Sequence, residues 1–253
     1  GDAEKFNIMD DFLRQLNPKL IHGKISGFGD DSDRVAYDLI LQAETGFMFM
    51  NGQADGPPTK MPVAIIDVMA AHHLKEAILL ALFNREKTQE GATVSVSLYD
   101  AAVSSLSNQA SNFLMSNAIP QRIGSLHPNI APYGEIFKTK DDADICFAIG
   151  SDKHFTLLCS FLSIEPLVEN EKFSSNPSRV KNRQELAIII QEKVSTFAAS
   201  EILSHMEIKN VPCGKIKNLK EVFEEKAASD LILSEEIEGK TTKRVKASIF
   251  KWT

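Results

Sequence analysis

PPTKMPVAIIDVMAAHHLKE, residues 57–76, sets a single carboxylate in an apolar run. Pro62 through Ile66 carry no charge, and then Asp67 arrives. From Val68 to Lys87 the pattern is that of one uninterrupted helix, stopping near Gly91. A carboxylate in the first turn of a helix meets free backbone N–H groups and the positive end of the macrodipole, which favour its ionised form. In a partly dry site such a group can attack an activated acyl carbon and form a covalent intermediate. On local sequence alone the plainer reading is favoured: Asp67 is an N-cap, a position that Asp prefers.

On either side of this stretch the first half alternates helix and strand. Asp10 to Leu16 reads as a short helix ended by Asn17-Pro18, and Leu20 to Ser26 as a strand running into the turn Gly27-Phe28-Gly29. Leu39 to Met50 is apolar and expected to be buried, and Asp55-Gly56-Pro57-Pro58 is a breaker. Thr93 to Leu98 alternates as a strand does, and Tyr99 to Met115 reads as one helix. From Asn117 to Pro132 regular patterning fails. Beyond it come two strands, 134–139 and 144–149, then helices over 152–162, 183–194, 200–207 and 218–225, and two closing strands, 231–237 and 243–247. The expected class is α/β in the first part and α+β in the second. The boundaries are a large domain over 1–117, a linker over 118–133, a small α+β domain over 134–210 and a return to the large domain over 211–253.

The chain has 253 residues, 43% hydrophobic and 25% charged, with a net charge of −6. Lys and Arg are spread along it, which argues against a nucleic-acid partner. No apolar run is long enough to span a membrane, so no membrane association is expected. Cys146, Cys159 and Cys213 show no CxxC spacing, so neither a disulfide framework nor a zinc site is expected, and the cytoplasm fits best.

Other motifs are weaker. Residues 23–29, GKISGFG, follow a strand and allow close backbone approach to a ligand, but match neither GxGxxG nor a P-loop; a plain strand-ending turn explains them as well. His72 and His73 are adjacent and face different directions, so no metal is expected there. His127-Pro128-Asn129 could line a cleft or simply form a turn. No GxSxG elbow supports a hydrolase triad.

Taken together, LNPKLIHGKISGFG (16–29), RVAYDLILQAETGFM (34–48), DGPPTKMPVAIIDVMAAHHLKEAILLAL (55–82), REKTQEG (85–91), HPNIAPYGEIFKTKD (127–141), NRQEL (182–186) and VPCGKI (211–216) resemble, in order, the family III CoA-transferases. This superfamily includes formyl-CoA and carnitine CoA-transferases and α-methylacyl-CoA racemase. The resemblance implies part of a Rossmann-like large domain plus a smaller α+β domain, and an interlinked homodimer. It implies that Asp67 is the nucleophile in CoA transfer from an acyl-CoA to a carboxylic acid. Coenzyme A is then a substrate, and no cofactor is needed. Amides at Val68 and Met69 are expected to stabilise the charge that develops. Ser26, Gly27 and Phe28 are expected against CoA, and the block around His127 where transferases carry a mobile loop.

Tyr37 stands where the racemases of this superfamily carry a His. A phenol is a poor base at neutral pH, which sets 2-methylacyl-CoA racemase or isomerase activity second to CoA transfer. The resemblance begins past the family's opening βα units, which hold much of the CoA nucleotide. A third reading is therefore a non-catalytic subunit or remnant that kept the scaffold.

Overall fold

The computed structural model describes residues 2–251, which divide into two compact units with the boundary between Ser125 and Leu126. The division falls inside the stretch where sequence patterning fails.

In the first unit the order is α1 (Asp2–Lys5), α2 (Asp10–Leu16), β1 (Ile21–Ser26), α3 (Asp38–Glu44), α4 (Phe47–Met50), α5 (Ile65–Thr88), β2 (Ala92–Ser97), α6 (Leu98–Ser104) and α7 (Ser107–Ser116). β1 and β2 pair in parallel, Ile21 opposite Ala92 through Ser26 opposite Ser97. The crossover helix α5 places Ile66, Ala70, Leu74 and Ile78 along one stripe at intervals of four, the spacing that keeps side chains on one helix face. Gly23 of β1 makes room for it: a Cβ there would lie 3.0 Å from Ile78 Cδ1 and 3.3 Å from Leu74 Cδ1. The other side of the sheet is polar. Asp10 of α2 accepts from Thr93 Oγ1 at 3.0 Å and Lys24 Nζ at 3.2 Å, and lies 2.6 Å from His22 Nδ1, tying α2 to both strands.

Three expectations change here. The long helix begins at Ile65, three residues before Val68, with Ala64 as its N-cap. The helix expected over 99–115 is two, α6 and α7, broken at Ser105-Leu106. The hydroxyls of Ser104 and Ser105 both donate to the Ala101 carbonyl, and such local bonds compete with the helical ladder. The apolar stretch 39–50 is only partly covered. Leu41, Gln42 and Thr45 are buried, while Leu39, Ile40 and Phe49 are exposed, and Gly46, at φ 90°, ends the regular run.

In the second unit, β3 (Tyr133–Lys138), β4 (Asp144–Ala148) and β5 (Cys213–Lys215) form an antiparallel sheet in that order. Its third strand therefore comes from the segment expected to return to the large domain. α8 (Asp152–Phe161), α9 (Asn176–Lys181), α10 (Arg183–Val194) and α11 (Ala199–Ile208) follow β4. Ile145, Phe147 and Ile149 alternate onto the face that meets Phe155 and Leu158 of α8, Leu186, Ile190 and Val194 of α10, and Ile202 and Met206 of α11. α12 (Leu219–Glu224) and α13 (Lys226–Ser229) lead to an exposed hairpin, β6 (Ile232–Ile237) and β7 (Lys240–Val245). That hairpin turns at Glu238 and Gly239, both at positive φ, so its second strand starts earlier than expected.

Candidate active site

The start of α5 is built from another helix. Ala64 has no side-chain oxygen to offer the free amides, and the Ile66 N–H donates instead to Asp38 Oδ1 of α3 at 2.8 Å. Asp38 Oδ2 accepts from Gln42 Nε2 at 2.5 Å, one turn along α3, and Gln42 Oε1 accepts from the Met61 N–H at 2.8 Å. Gln42 is fully buried. The segment 61–66 is thus held at both ends by two side chains of one helix.

Asp67 follows directly, at the third position of α5 and not at the cap. Its side chain is exposed, and among the described residues no cation or side-chain donor reaches it. Desolvation and then the negative charge of Asp38 push its pKa above the ordinary carboxylate value. The sequence suggested that the helix terminus would favour the ionised form; here desolvation, with the Asp38 charge behind it, shifts the group the other way. The Val68 N–H is not free to serve an oxyanion, because it donates to the Ala64 carbonyl at 3.2 Å.

The turn after β1 lies against the same small core. A Cβ on Gly27 would fall 2.3 Å from Ala36 Cβ, so only glycine fits. The Gly27 carbonyl accepts the Tyr99 N–H at 3.0 Å, fixing the turn to α6. Phe28 packs with Ile65 and Met69 against Leu41, Ile66 and Ala102. Its outer face carries the Arg34 guanidinium 3.8 Å from the ring centroid. Arg34 is held in turn by Glu44 at 2.6 Å. Ser26 and Ser97 end the two parallel strands and line a cavity of about 520 Å³ with Gly29, Asp30, His73 and Asp100. In open α/β sheets ligands bind outside the carboxyl ends of the strands. Asp67 is not among the residues lining this cavity.

Tyr37 is the N-cap residue of α3 with its side chain 71% exposed, and the neighbour that reaches α5 is Asp38. His127 belongs to the second unit. Its ring lies tilted by 53° against Tyr133 with centroids 4.9 Å apart, and its Nδ1 accepts the Asn129 N–H at 3.1 Å. Its carbonyl and that of Ile130 accept from Arg183, whose guanidinium lies 3.3 Å from Glu135. Ser26, Gly27, Phe28, Tyr37 and Asp67 all lie in the first unit, Ser26 on the cavity and Phe28 in the small core, while His127 sits in a loop of the second unit held by Arg183. Burial pushes the Cys159 and Cys213 thiols up to about 12, so neither is a ready nucleophile. Among the described residues no His/Cys/Asp/Glu group is arranged to hold a metal, and no helix is long and apolar enough to cross a membrane.

A sequence profile described as CoA-transferase family III matches residues 1–252. The chain belongs to this family. A succinate–glutarate CoA-transferase of Agrobacterium fabrum is 35% identical over 222 residues, 87% of this chain and 55% of the relative. A Homo sapiens succinyl-CoA:glutarate CoA-transferase is 33% identical over 216 residues, 84% of this chain and 49% of its own length. The crystal structure of a CAIB/BAIF family protein from Brucella suis superposes with a TM-score of 0.80 at 30% identity, covering 98% of this chain and 66% of that one. This CoA-transferase family III chain thus spans about half the length of the curated relatives it matches.

Asp38 and Gln42 did not emerge from the sequence. Their spacing of four on a helical stretch was a usable signal, since Asp and Gln so placed can bond to each other. What they bond beyond, the amides of Ile66 and Met61, lies 28 and 19 residues away, and nothing local reports it.

Proposed function

We propose that this chain carries the nucleophile of a CoA-transferase that moves CoA from an acyl-CoA donor to a carboxylic acid, with Asp67 as the attacking group. The observation that carries the reading is the exposed, unpaired Asp67 carboxylate on a helix turn anchored by Asp38 and Gln42. A carboxylate without a salt-bridge partner keeps its lone pairs available for attack.

The steps balance without an external acid or base. A carboxylate oxygen of Asp67 attacks the thioester carbon, the C–S bond breaks, and a mixed anhydride and CoA thiolate result. The thiolate attacks the aspartyl carbonyl, releasing the donor's carboxylate and leaving an aspartyl-CoA thioester. The acceptor carboxylate attacks that thioester and again frees the thiolate. Attack of the thiolate on the acceptor's acyl carbon gives the new acyl-CoA and restores Asp67. Ser26, Gly27 and Phe28 contact CoA.

The names of the two relatives pair succinate or succinyl-CoA with glutarate, which supports a dicarboxylyl-CoA donor and a small dicarboxylate acceptor. A homodimer fits the exposed apolar side chains of α5 and α7, including Leu79, Leu80, Phe83, Leu114 and Met115. A reducing cytoplasm suits three free thiols. The exposed phenol of Tyr37 speaks against α-proton exchange. Incubating the full protein with succinyl-CoA and hydroxylamine tests the reading: a hydroxamate is expected at residue 67 by peptide mass and absent from Asp67→Ala. Labelling elsewhere, or turnover by Asp67→Ala, overturns it.

A further inference from the structure

We propose that Asp38 and Gln42 are positioning residues for Asp67, fixing the turn that presents it and setting one negative charge beside it. This deepens, and rests on, the reading of Asp67 as the nucleophile. A helix start needing only a cap would carry Ser, Thr or Asn at position 64, each neutral and local. Here that position is Ala64, and the acceptor for Ile66 comes from α3 as a carboxylate. Two carboxylates placed near one another oppose each other's ionisation, a cost that a purely structural contact avoids. Gln42 sets the polarity of the arrangement. The Met61 N–H can only donate, so Oε1 must face it, which turns Nε2 toward Asp38. A carboxylate, an acceptor at both oxygens, is the side chain of that length that satisfies Ile66 and Gln42 together.

The remaining ionisable groups on the adjoining helices are engaged or distant along the chain. Glu44 of α3 pairs with Arg34, Asp100 of α6 bonds to Ser97 at 2.6 Å, and His72 and His73 lie more than a turn further along α5. Asp38 is the charge that acts on Asp67. Its presence makes the ionised Asp67 more basic, and a more basic carboxylate is the stronger nucleophile once deprotonated.

Two variants separate charge from orientation. Asp38→Asn keeps an acceptor for Ile66 but sets its own NH₂ against that of Gln42. Gln42→Leu leaves the charge and removes the anchor to Met61. The Asp67 carboxyl is titrated by ¹³C NMR without acyl-CoA, its signal assigned by its loss in Asp67→Asn. The same proteins are then assayed by hydroxamate trapping with succinyl-CoA. Asp38→Asn should lower the Asp67 midpoint and slow trapping, with Asp38→Glu restoring the midpoint. Gln42→Leu should leave the midpoint in place while slowing trapping by up to about 10²-fold, the scale of a small misplacement. An unchanged midpoint in Asp38→Asn, or unchanged trapping in both variants, overturns the positioning role. Absence of a hydroxamate at residue 67 in the unaltered protein overturns the nucleophile reading, and the positioning role with it. Amide exchange at Ile66 identifies a variant that has lost the helix start altogether; in that case Gln42→Leu decides.

Discussion

Replacing Arg179 by Leu should loosen the loop that carries His127, and the size of the effect can be worked from its contacts. Arg179 is 1% exposed, with its guanidinium 4.5 Å from the Phe155 ring centroid. Nε donates to the Ala131 carbonyl at 2.9 Å, Nη1 to the Phe173 carbonyl at 3.0 Å, and Nη2 to Asp152 at 2.7 Å. Asp152 is 72% exposed, so water compensates that partner and the bond counts for little. The two carbonyl bonds are charge-assisted, worth about 1.5–3 kcal/mol each, and Leu offers neither carbonyl a donor. The expected loss is about 3–5 kcal/mol, a large share of an ordinary domain's stability. Arg179→Lys should fall between, because an ammonium on a flexible stem cannot span both carbonyls as the planar fork does. Hydrogen exchange by mass spectrometry reads the second unit separately from the first. Peptides covering 127–133 and 170–180 should lose protection together in the Leu variant and partly in the Lys variant. A loss below about 1 kcal/mol, or Lys matching Arg, would refute the account of the loop as arginine-held.

Two further outcomes follow from the first unit. The pKa of Asp67 is raised in the fold, so the stability tied to this group is complete below its ordinary value of 3.8 and is lost as pH rises through the raised value. Asp67→Asn should therefore melt above the parent at pH 7 and match it near pH 3.5, while being inactive; a lower melting temperature at pH 7 would show the helix terminus outweighing desolvation and Asp38 together. Gly27→Ala should cost about 1–3 kcal/mol by overpacking against Ala36, seen as a lower melting temperature, and wild-type stability would mean that the turn relaxes freely.

Most of the second unit was legible because its signals are local. Period-two alternation at 145–149 and intervals of three and four in α8, α10 and α11 each follow from one element meeting one core. The boundaries of α8 and α10 lie within a residue or so of expectation, since Ser151 caps α8 with a bond to the His154 amide and Asn182 sits before α10. The first unit was harder for a physical reason. Its fully buried cluster is small, centred on Leu41, Ile66 and Ala102, so most of its apolar residues meet solvent and their pattern does not mark a face. The run 39–50 looked like core for that reason and is only partly covered.

The candidate site divides in the same way. Asp67 could be singled out because its isolation is a property of its immediate neighbours along the chain. What sets its chemistry is not local. The capping role that local preference gave to Asp67 belongs instead to Asp38, and the charge that this brings adds to desolvation in shifting Asp67. Asp67 is left with no duty at the helix start, so a carboxylate at this position does nothing for the fold that a neutral residue could not do. Natural proteins retain such groups where function requires them and accept the loss in stability. That asymmetry gives the site its sharpest physical signature: Asp38 serves both the helix start and the chemistry of its neighbour, and Asp67 the chemistry alone.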